Sequence, residues 1–140
     1  MICSEIMTKD PECCVPSDSV MKAAQLMKSE DVGPIPIVED KAEKKLTGIV
    51  TDRDLAIKVV AEARDPKTTQ VEEVMSEGLV TCQANDDVQS VLKLMQDNQI
   101  RRIPVVDRSD HLLGIIAQAD IATRLGSTRA TGKVVEEVSH

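Results

Sequence analysis

The stretch Gly48-Ile49-Val50-Thr51-Asp52-Arg53-Asp54 decides the fold of this 140-residue chain. The apolar residues at 46–50 predict a strand that runs directly into a helix beginning near Asp52. A weaker copy of the stretch, Gly114-Ile115-Ile116-Ala117-Gln118-Ala119-Asp120, occurs in the second half of the chain. Self-similarity at a fixed spacing indicates a duplicated structural unit, so the flanking residues should repeat as well.

The repeat extends over most of the chain. Met7 precedes Met75 by 68 residues. The same offset relates Cys14 to Cys82, Asp18 to Asp86, Val20 to Val88, Met27 to Met95, Pro36 to Pro104 and Val38 to Val106. The offset falls to 66 at Gly48 and Gly114, because one polar loop is two residues longer in the first copy. Length variation confined to a loop is expected of a duplicated unit.

Each copy predicts a helical turn followed by the order strand, helix, strand, strand, helix. The predicted elements are the turns 3–7 and 71–75, the first strands 13–15 and 79–82, the second strands 35–38 and 103–106, the third strands 46–50 and 112–116, and the closing helices 52–63 and 118–125. The first helix of each copy is predicted to begin at Ser17 or Asn85, which suit an N-cap. Residues 126–132 predict a loop, and residues 133–138 a final helical turn.

As an ordered set that occurs twice, these motifs resemble a tandem pair of CBS domains, also called a Bateman module. The matching motifs are Ile6-Met7, Ile35-Pro36-Ile37-Val38 and 48–54 in the first copy, and Val74-Met75, Ile103-Pro104-Val105-Val106 and 114–120 in the second. The stretches 51–58 and 101–105 look most like small stand-alone bacterial CBS proteins of the hypoxic-response type. The resemblance implies an α/β (α+β) fold of two β-α-β-β-α repeats packed as a pseudo-two-fold pair, and a homodimer formed through helices.

The repeats also predict the domain boundaries. Residues 1–62 are expected to form the first CBS domain, 63–70 a linker, 71–126 the second CBS domain, and 127–140 a C-terminal tail with the short helix. A repeat of about 60 residues holds only a marginal core, so we expect the two copies to pack on each other.

The composition argues against several classes of partner. The net charge of −7 disfavours nucleic acid and anionic membranes, and without Phe, Tyr or Trp the chain cannot stack on the bases of single strands. No apolar run approaches the roughly 18 residues of a membrane span, and no secretory signal pattern is present. Four cysteines without regular spacing suit a reducing compartment. We therefore predict a cytoplasmic protein whose partners include neither nucleic acid nor membrane.

Thr51 and Asp54 allow two interpretations. The spacing Thr-x-x-Asp is typical of a capping box at the start of a helix. It also suits a nucleotide site, because free amides and the helix dipole favour phosphate there. The second copy keeps Asp120 but has Ala117 in place of the hydroxyl, and a capping box alone gives less reason to keep only the carboxylate. The resemblance implies that Asp54 and Asp120 bind ribose hydroxyls and that Thr51 helps hold phosphate.

Three arginines are the candidate phosphate ligands. Arg101 and Arg102 precede the second Ile-Pro motif, and Arg53 follows Thr51. A planar guanidinium suits bidentate contact with phosphate, although solvent exposure or ion pairing would also account for these residues. The resemblance implies that residues at the positions of Arg101 and Arg102 reach the phosphate across the interface between the copies.

The cysteines favour packing over chemistry. Cys14 and Cys82 fall on predicted first strands, where a buried thiol behaves as a small apolar side chain. The adjacent pair Cys13-Cys14 would suit a soft metal, yet His111 and His140 do not give zinc spacing, and we predict no metal site. No P-loop, Gly-x-Gly-x-x-Gly motif or catalytic constellation is visible, so we do not expect an enzyme.

The main hypothesis is a regulatory module that senses an adenine nucleotide (AMP, ADP or ATP) or a related adenosyl ligand in the cleft between the copies. It requires no cofactor, forms a homodimer, and signals in trans to an effector protein that the sequence does not identify. One alternative is a ligand-free interaction and dimerisation protein. Another is a thiol-based redox or metal sensor that uses Cys13, Cys14 and Cys82.

Overall fold

The computed structural model describes residues 1–131 and the side chains of residues 1–125. Its elements are β1 (Thr8–Lys9), α1 (Val20–Glu30), β2 (Pro34–Val38), β3 (Leu46–Thr51), α2 (Asp52–Leu55), α3 (Val88–Asn98), β4 (Arg102–Val106), β5 (Leu112–Ala117) and α4 (Gln118–Thr131). Helix α2 continues as a π-helix over Ala56–Val60. Short 3₁₀ turns at Cys3–Glu5 and Val71–Glu73 precede the two repeats.

The two repeats have the same antiparallel hairpin. Strand β2 pairs with β3, and β4 pairs with β5, with Pro34 opposite Thr51 and Arg102 opposite Ala117. Both hairpins shift register at the same place, just before Val38 and just before Val106. The predicted mixed fold of two equivalent repeats is therefore confirmed. Pro36 lies in β2 and Pro104 in β4. On the side away from its hairpin partner, each of these strands forms one isolated β-bridge, Cys14–Ile37 for β2 and Cys82–Val105 for β4.

The segments that lead into the two repeats are exchanged. We call residues 1–9 the first lead-in and residues 69–77 the second lead-in. Cys3 belongs to the apolar core of the second repeat, while Val71 and Val74 belong to the core of the first. Backbone hydrogen bonds fix both crossings, since Cys3 N–H donates to the Asp86 carbonyl at 2.9 Å and Val71 N–H to the Asp18 carbonyl at 2.8 Å. Each core is therefore incomplete without the other half of the chain.

The crossing explains the glycine that begins each copy of the deciding stretch. A Cβ at Gly48 would lie 2.7 Å from the Met75 sulfur, and 2.8 Å from a carbonyl oxygen of the second lead-in. A Cβ at Gly114 would lie 2.6 Å from the Thr8 carbonyl oxygen and 2.8 Å from the Met7 sulfur. Side chains at either position would collide with backbone, so only glycine allows each lead-in to pass over its strand.

The helix starts were predicted two residues too early. The N-caps are Ser19, whose Oγ accepts from the Lys22 amide at 3.1 Å, and Asp87, whose Oδ2 accepts from the Gln89 amide at 3.0 Å. Asp18, with Asp86 in the same role, instead accepts from an amide three residues earlier and closes the preceding turn. Asx-type side chains compete for several nearby amides, which sequence spacing alone does not resolve. The predicted first strands, 13–15 and 79–82, shorten to the two single bridges.

Two further predictions were wrong. Helix α2 with its π-helical extension ends at Val60 rather than Ala63, and α4 runs to Thr131, across most of the predicted loop 126–132. The single glycine within α4, Gly126, costs a helix only about 1 kcal/mol, and arginine and alanine, present at 129 and 130, have high helix propensity. The predicted turn at 133–138 lies outside the described residues. Strand β1, which pairs with β5, was missed because two residues carry no periodic pattern.

The exchange predicts how fragments of the chain fold. Residues 1–66 lack the second lead-in, which completes the first core, so we expect this fragment to be largely unfolded or self-associated. Residues 10–78 hold the first repeat together with the second lead-in and are expected to show more helix and a more cooperative melt. Circular dichroism measures the helix content and the cooperativity of melting, and sedimentation velocity measures self-association. A monodisperse, cooperatively folded monomer from residues 1–66 would contradict the exchange.

Candidate ligand-binding clefts

Two cavities lie at equivalent places between the repeats. The first cleft, of about 540 Å³, lies at the ends of β3 and β4 and includes Ser76 of the second lead-in. Its lining combines the apolar side chains of Ile49, Leu79 and Ile100 with the polar side chains of Thr51, Arg53, Arg101 and Arg102. Four of the six predicted site residues thus meet in one cavity.

The second cleft, of about 310 Å³, is the counterpart of the first. Ile115 and Ala117 take the places of Ile49 and Thr51, and Thr8 of the first lead-in takes the place of Ser76. Asp120 lines this cleft. Prediction from the sequence missed the contributions of Thr8 and Ser76, although the 68-residue offset relates them and the lead-in exchange explains both.

The two clefts carry opposite charge. Three arginines line the first cleft against one carboxylate, that of Asp52. Four carboxylates line the second cleft against one guanidinium, that of Arg102; they belong to Glu12, Glu30, Asp31 and Asp120. In a chain of net charge −7, the first cleft is therefore a local cationic surface, which suits an anionic ligand.

Thr51 and Asp54 form the capping box. Thr51 Oγ1 accepts from the Asp54 amide at 3.1 Å, and Asp54 Oδ2 accepts from the Thr51 amide at 2.9 Å. The other carboxylate oxygen of Asp54 lies 3.3 Å from Lys58 Nζ, which donates to the Val74 carbonyl at 2.9 Å. Asp54 is not among the residues that line the first cleft. Its ribose role, like that of Asp120, stays a prediction.

The first amides of α2 already have protein acceptors. Asp52 N–H donates to the Gly33 carbonyl at 3.0 Å, and Arg53 N–H donates to Asp52 Oδ1 at 2.9 Å. The Asp54 amide is taken by Thr51. The expectation of free amides at this helix start is therefore wrong, and any phosphate in the first cleft depends on side chains, chiefly the arginines.

The three arginines of the first cleft are available to a ligand. Arg53, Arg101 and Arg102 are all exposed, and none forms an ion pair with a carboxylate of residues 1–125. The ion-pairing interpretation is therefore not realised in this part of the chain. A guanidinium without a carboxylate partner keeps its full hydrogen-bonding capacity for phosphate.

The cysteines behave as core residues. All four are buried and unpaired, and burial raises the thiol pKa of Cys14 to about 11 and that of Cys82 further. The neighbours Cys13 and Cys14 pack into different apolar clusters, so their sulfurs do not face one metal position. The sulfurs of Cys3 and Cys82 lie 4.0 Å apart, a contact that the lead-in exchange creates.

Two searches of the described residues were negative. Within residues 1–131, no cluster of three or more His, Cys, Asp and Glu side chains is arranged to hold a metal ion. Every helix in that range is too short or too polar to cross a membrane.

Known proteins are similar to this chain over most of its length. The family model described as CBS domain matches residues 3–61 and again residues 71–127. The CBS domain-containing protein YhcV of Bacillus subtilis is 38% identical over 136 residues, covering 97% of this chain and 94% of that protein. The crystal structure of Hypoxic Response Protein I with two coordinated zinc ions is 34% identical, with a TM-score of 0.78, over 88% of this chain and 98% of that one.

A second solved structure is similar over nearly the same length. It is the CBS domain pair of protein MJ0100 in complex with 5-methylthioadenosine and S-adenosyl-L-methionine. The identity is 29% and the TM-score 0.81, with 91% of this chain and 98% of that chain covered.

Proposed function

The chain belongs to the CBS domain family, and we propose that it is a regulatory module that binds an adenine nucleotide or a related adenosyl ligand and signals to a partner protein in trans. The nucleotide occupies the first cleft. AMP, ADP and ATP are the candidate ligands, and no catalytic step is assigned to the protein. Four unpaired cysteines support a reducing, cytoplasmic location.

One observation supports this proposal above the others: the first cleft combines unpaired arginines with an apolar wall. Ile49, Leu79 and Ile100 offer aliphatic surface for an adenine ring. Arg53, Arg101 and Arg102 offer forked donors for phosphate. A cavity of about 540 Å³ is within the usual range of small-molecule sites. The adenosyl ligands of the MJ0100 domain pair support the same ligand class.

The position of the first cleft suggests how binding reaches a partner. Thr51 lies at the end of a strand of the first repeat, Ser76 on the second lead-in, and Arg101 before β4. A ligand that contacts all three holds both repeats in one relative arrangement. If another arrangement lacks these contacts, the ligand shifts the population toward the first, which a partner then recognises.

The alternative of a ligand-free interaction module also has a specific observation in its favour. The capping box satisfies both Thr51 and Asp54 without any ligand. The redox or metal alternative has less support, because the thiols are buried with raised pKa and residues 1–131 hold no metal cluster. Nucleotide binding therefore separates the two remaining functions.

We propose that the protein is a homodimer that associates through α2 and its π-helical extension. Ile57 and Val60 lie three residues apart on this helix and are 45% and 75% exposed. Both apolar side chains are exposed on the same helical segment, and burial of this surface against a second copy would remove it from water.

The first prediction from this function is stabilisation by nucleotide. Millimolar AMP, ADP or ATP should raise the melting temperature with increasing concentration, because the ligand binds only the folded state. GTP should do so less, since the aliphatic wall and backbone amides are expected to suit adenine. Because the chain has no Phe, Tyr or Trp, co-purified nucleotide should also dominate its near-ultraviolet spectrum. No shift with any adenosine-containing ligand, together with an empty spectrum, would favour the ligand-free module.

The second prediction separates capping from binding at Asp54. In Asp54→Asn the amide oxygen can still accept from Thr51 N–H, while the charge is lost. If Asp54 binds ribose, calorimetry should show AMP binding weakened by about 1–3 kcal/mol, with little change in the melting temperature of the nucleotide-free protein. The matched control, Asp120→Asn, should have a smaller effect. Unchanged AMP affinity in Asp54→Asn would leave Asp54 as a helix cap, and two equal AMP sites would reverse the assignment.

The third prediction concerns assembly. Val60→Asp places a charge on the exposed apolar surface of the π-helical extension of α2 and should convert the dimer to monomer in sedimentation velocity. Leu113→Asp, at a residue 37% exposed on β5, is the control and should leave the dimer intact. A wild-type monomer at high concentration, or equal loss in both variants, would contradict association through α2.

A further inference from the structure

Arg102 lies on the boundary between the two clefts. It begins β4 and lines the first cleft and the second. Its Nη2 is 3.4 Å from the point that a Cβ on Gly33 would occupy, and both carboxylate oxygens of Asp52 are 3.3 Å from the same point. Gly33 belongs to the second cleft and Asp52 to the first. The missing side chain at Gly33 thus leaves the space in which the guanidinium reaches both cavities.

The duplication makes this residue unique in the pair. The 68-residue offset places Pro34 at the position of Arg102 and Gly33 at the position of Arg101. The second cleft therefore has no cation of its own and depends on Arg102 alone. Arg101 lines the first cleft but not the second, which separates the roles of the two adjacent arginines.

We propose that Arg102 couples the two clefts, because one guanidinium serves the phosphate in the first cleft and offsets the carboxylates in the second. The proposal rests on the function proposed above and adds a rule for joint occupancy. When a phosphate in the first cleft pairs with Arg102, the guanidinium offsets the carboxylates of the second cleft less. The remaining carboxylates there then favour a cationic ligand and disfavour a second phosphate.

The rule has two consequences. A phosphorylated ligand in the first cleft and a cationic adenosyl ligand in the second should strengthen each other's binding by the same factor, since linkage is reciprocal. A single chain should bind one phosphorylated ligand, because the second cleft would have to hold its phosphate against four carboxylates. Both clefts are exposed to water, so the coupling should weaken as ionic strength rises.

The test is calorimetry on the full chain at low ionic strength. The probe for the second cleft is S-adenosylmethionine, an adenosyl compound that carries a sulfonium instead of a phosphate, titrated with and without saturating AMP. We expect AMP to strengthen its binding about fivefold, at the low end of measured coupling because the charges are hydrated. The reverse titration, AMP with and without saturating S-adenosylmethionine, should give the same factor.

Two adjacent variants show whether Arg102 carries the coupling. Arg102→Gln should abolish it, so that the factor falls to unity even when AMP is saturating. Arg101→Gln should weaken AMP binding but keep the factor, because Arg101 does not line the second cleft. Both side chains are exposed, so neither substitution removes a core contact.

Several outcomes would overturn the proposal. They are a wild-type factor within about twofold of unity, coupling that persists in Arg102→Gln, two AMP molecules bound per chain, or no S-adenosylmethionine binding in the presence of AMP. Displacement of AMP by S-adenosylmethionine would show that both compete for one cleft, which also overturns it. AMP binding without coupling would leave the proposed function intact, whereas absence of any AMP binding would remove that function and the coupling together.

Discussion

The structure depends on the passage of each lead-in over a strand of the other repeat. Gly48 and Gly114 lie at these crossings, and a Cβ at either would be within 2.8 Å of a carbonyl oxygen. Such short contacts cannot be relieved by rotating a side chain, because they involve backbone atoms. Because of the crossing, Val71 packs in the first core and Cys3 in the second, so each repeat, whose own core is marginal, is completed by a segment of the other half of the chain.

The clefts are a consequence of the same exchange. Thr8 and Ser76 lie just where the lead-ins leave the crossings, and each lines the cleft beside the strand that it pairs with. Backbone geometry is therefore common to both clefts, while the side chains have diverged. Positions 33 and 34 are glycine and proline in one copy, and their counterparts are arginines in the other. A symmetric fold thus carries an asymmetric charge pattern.

The fold was largely predictable from the sequence, because it rests on repeated apolar and glycine positions with strong packing requirements. The repeat pattern predicted both hairpins and the four α-helices within residues 1–131, although not the residues at which each helix begins and ends. The repeat pattern could not predict which of two neighbouring residues of similar propensity caps a helix. Ser17 and Ser19 are both acceptable caps, and the selection depends on the turn that Asp18 closes. Nor could it give the exchange, since a pattern of apolar residues does not say which core a segment joins.

The candidate site was predictable in a different sense. The residue types were found, but Thr51 and Asp54 turned out to satisfy each other, together with the first amides of α2. That helix therefore needs no ligand to complete its hydrogen bonding. In the proposed function, selectivity depends instead on exposed arginines, which lie outside the apolar cores. Because charges at the cleft rims can change at small cost to the core, two copies of one backbone can differ in the ligands that they accept.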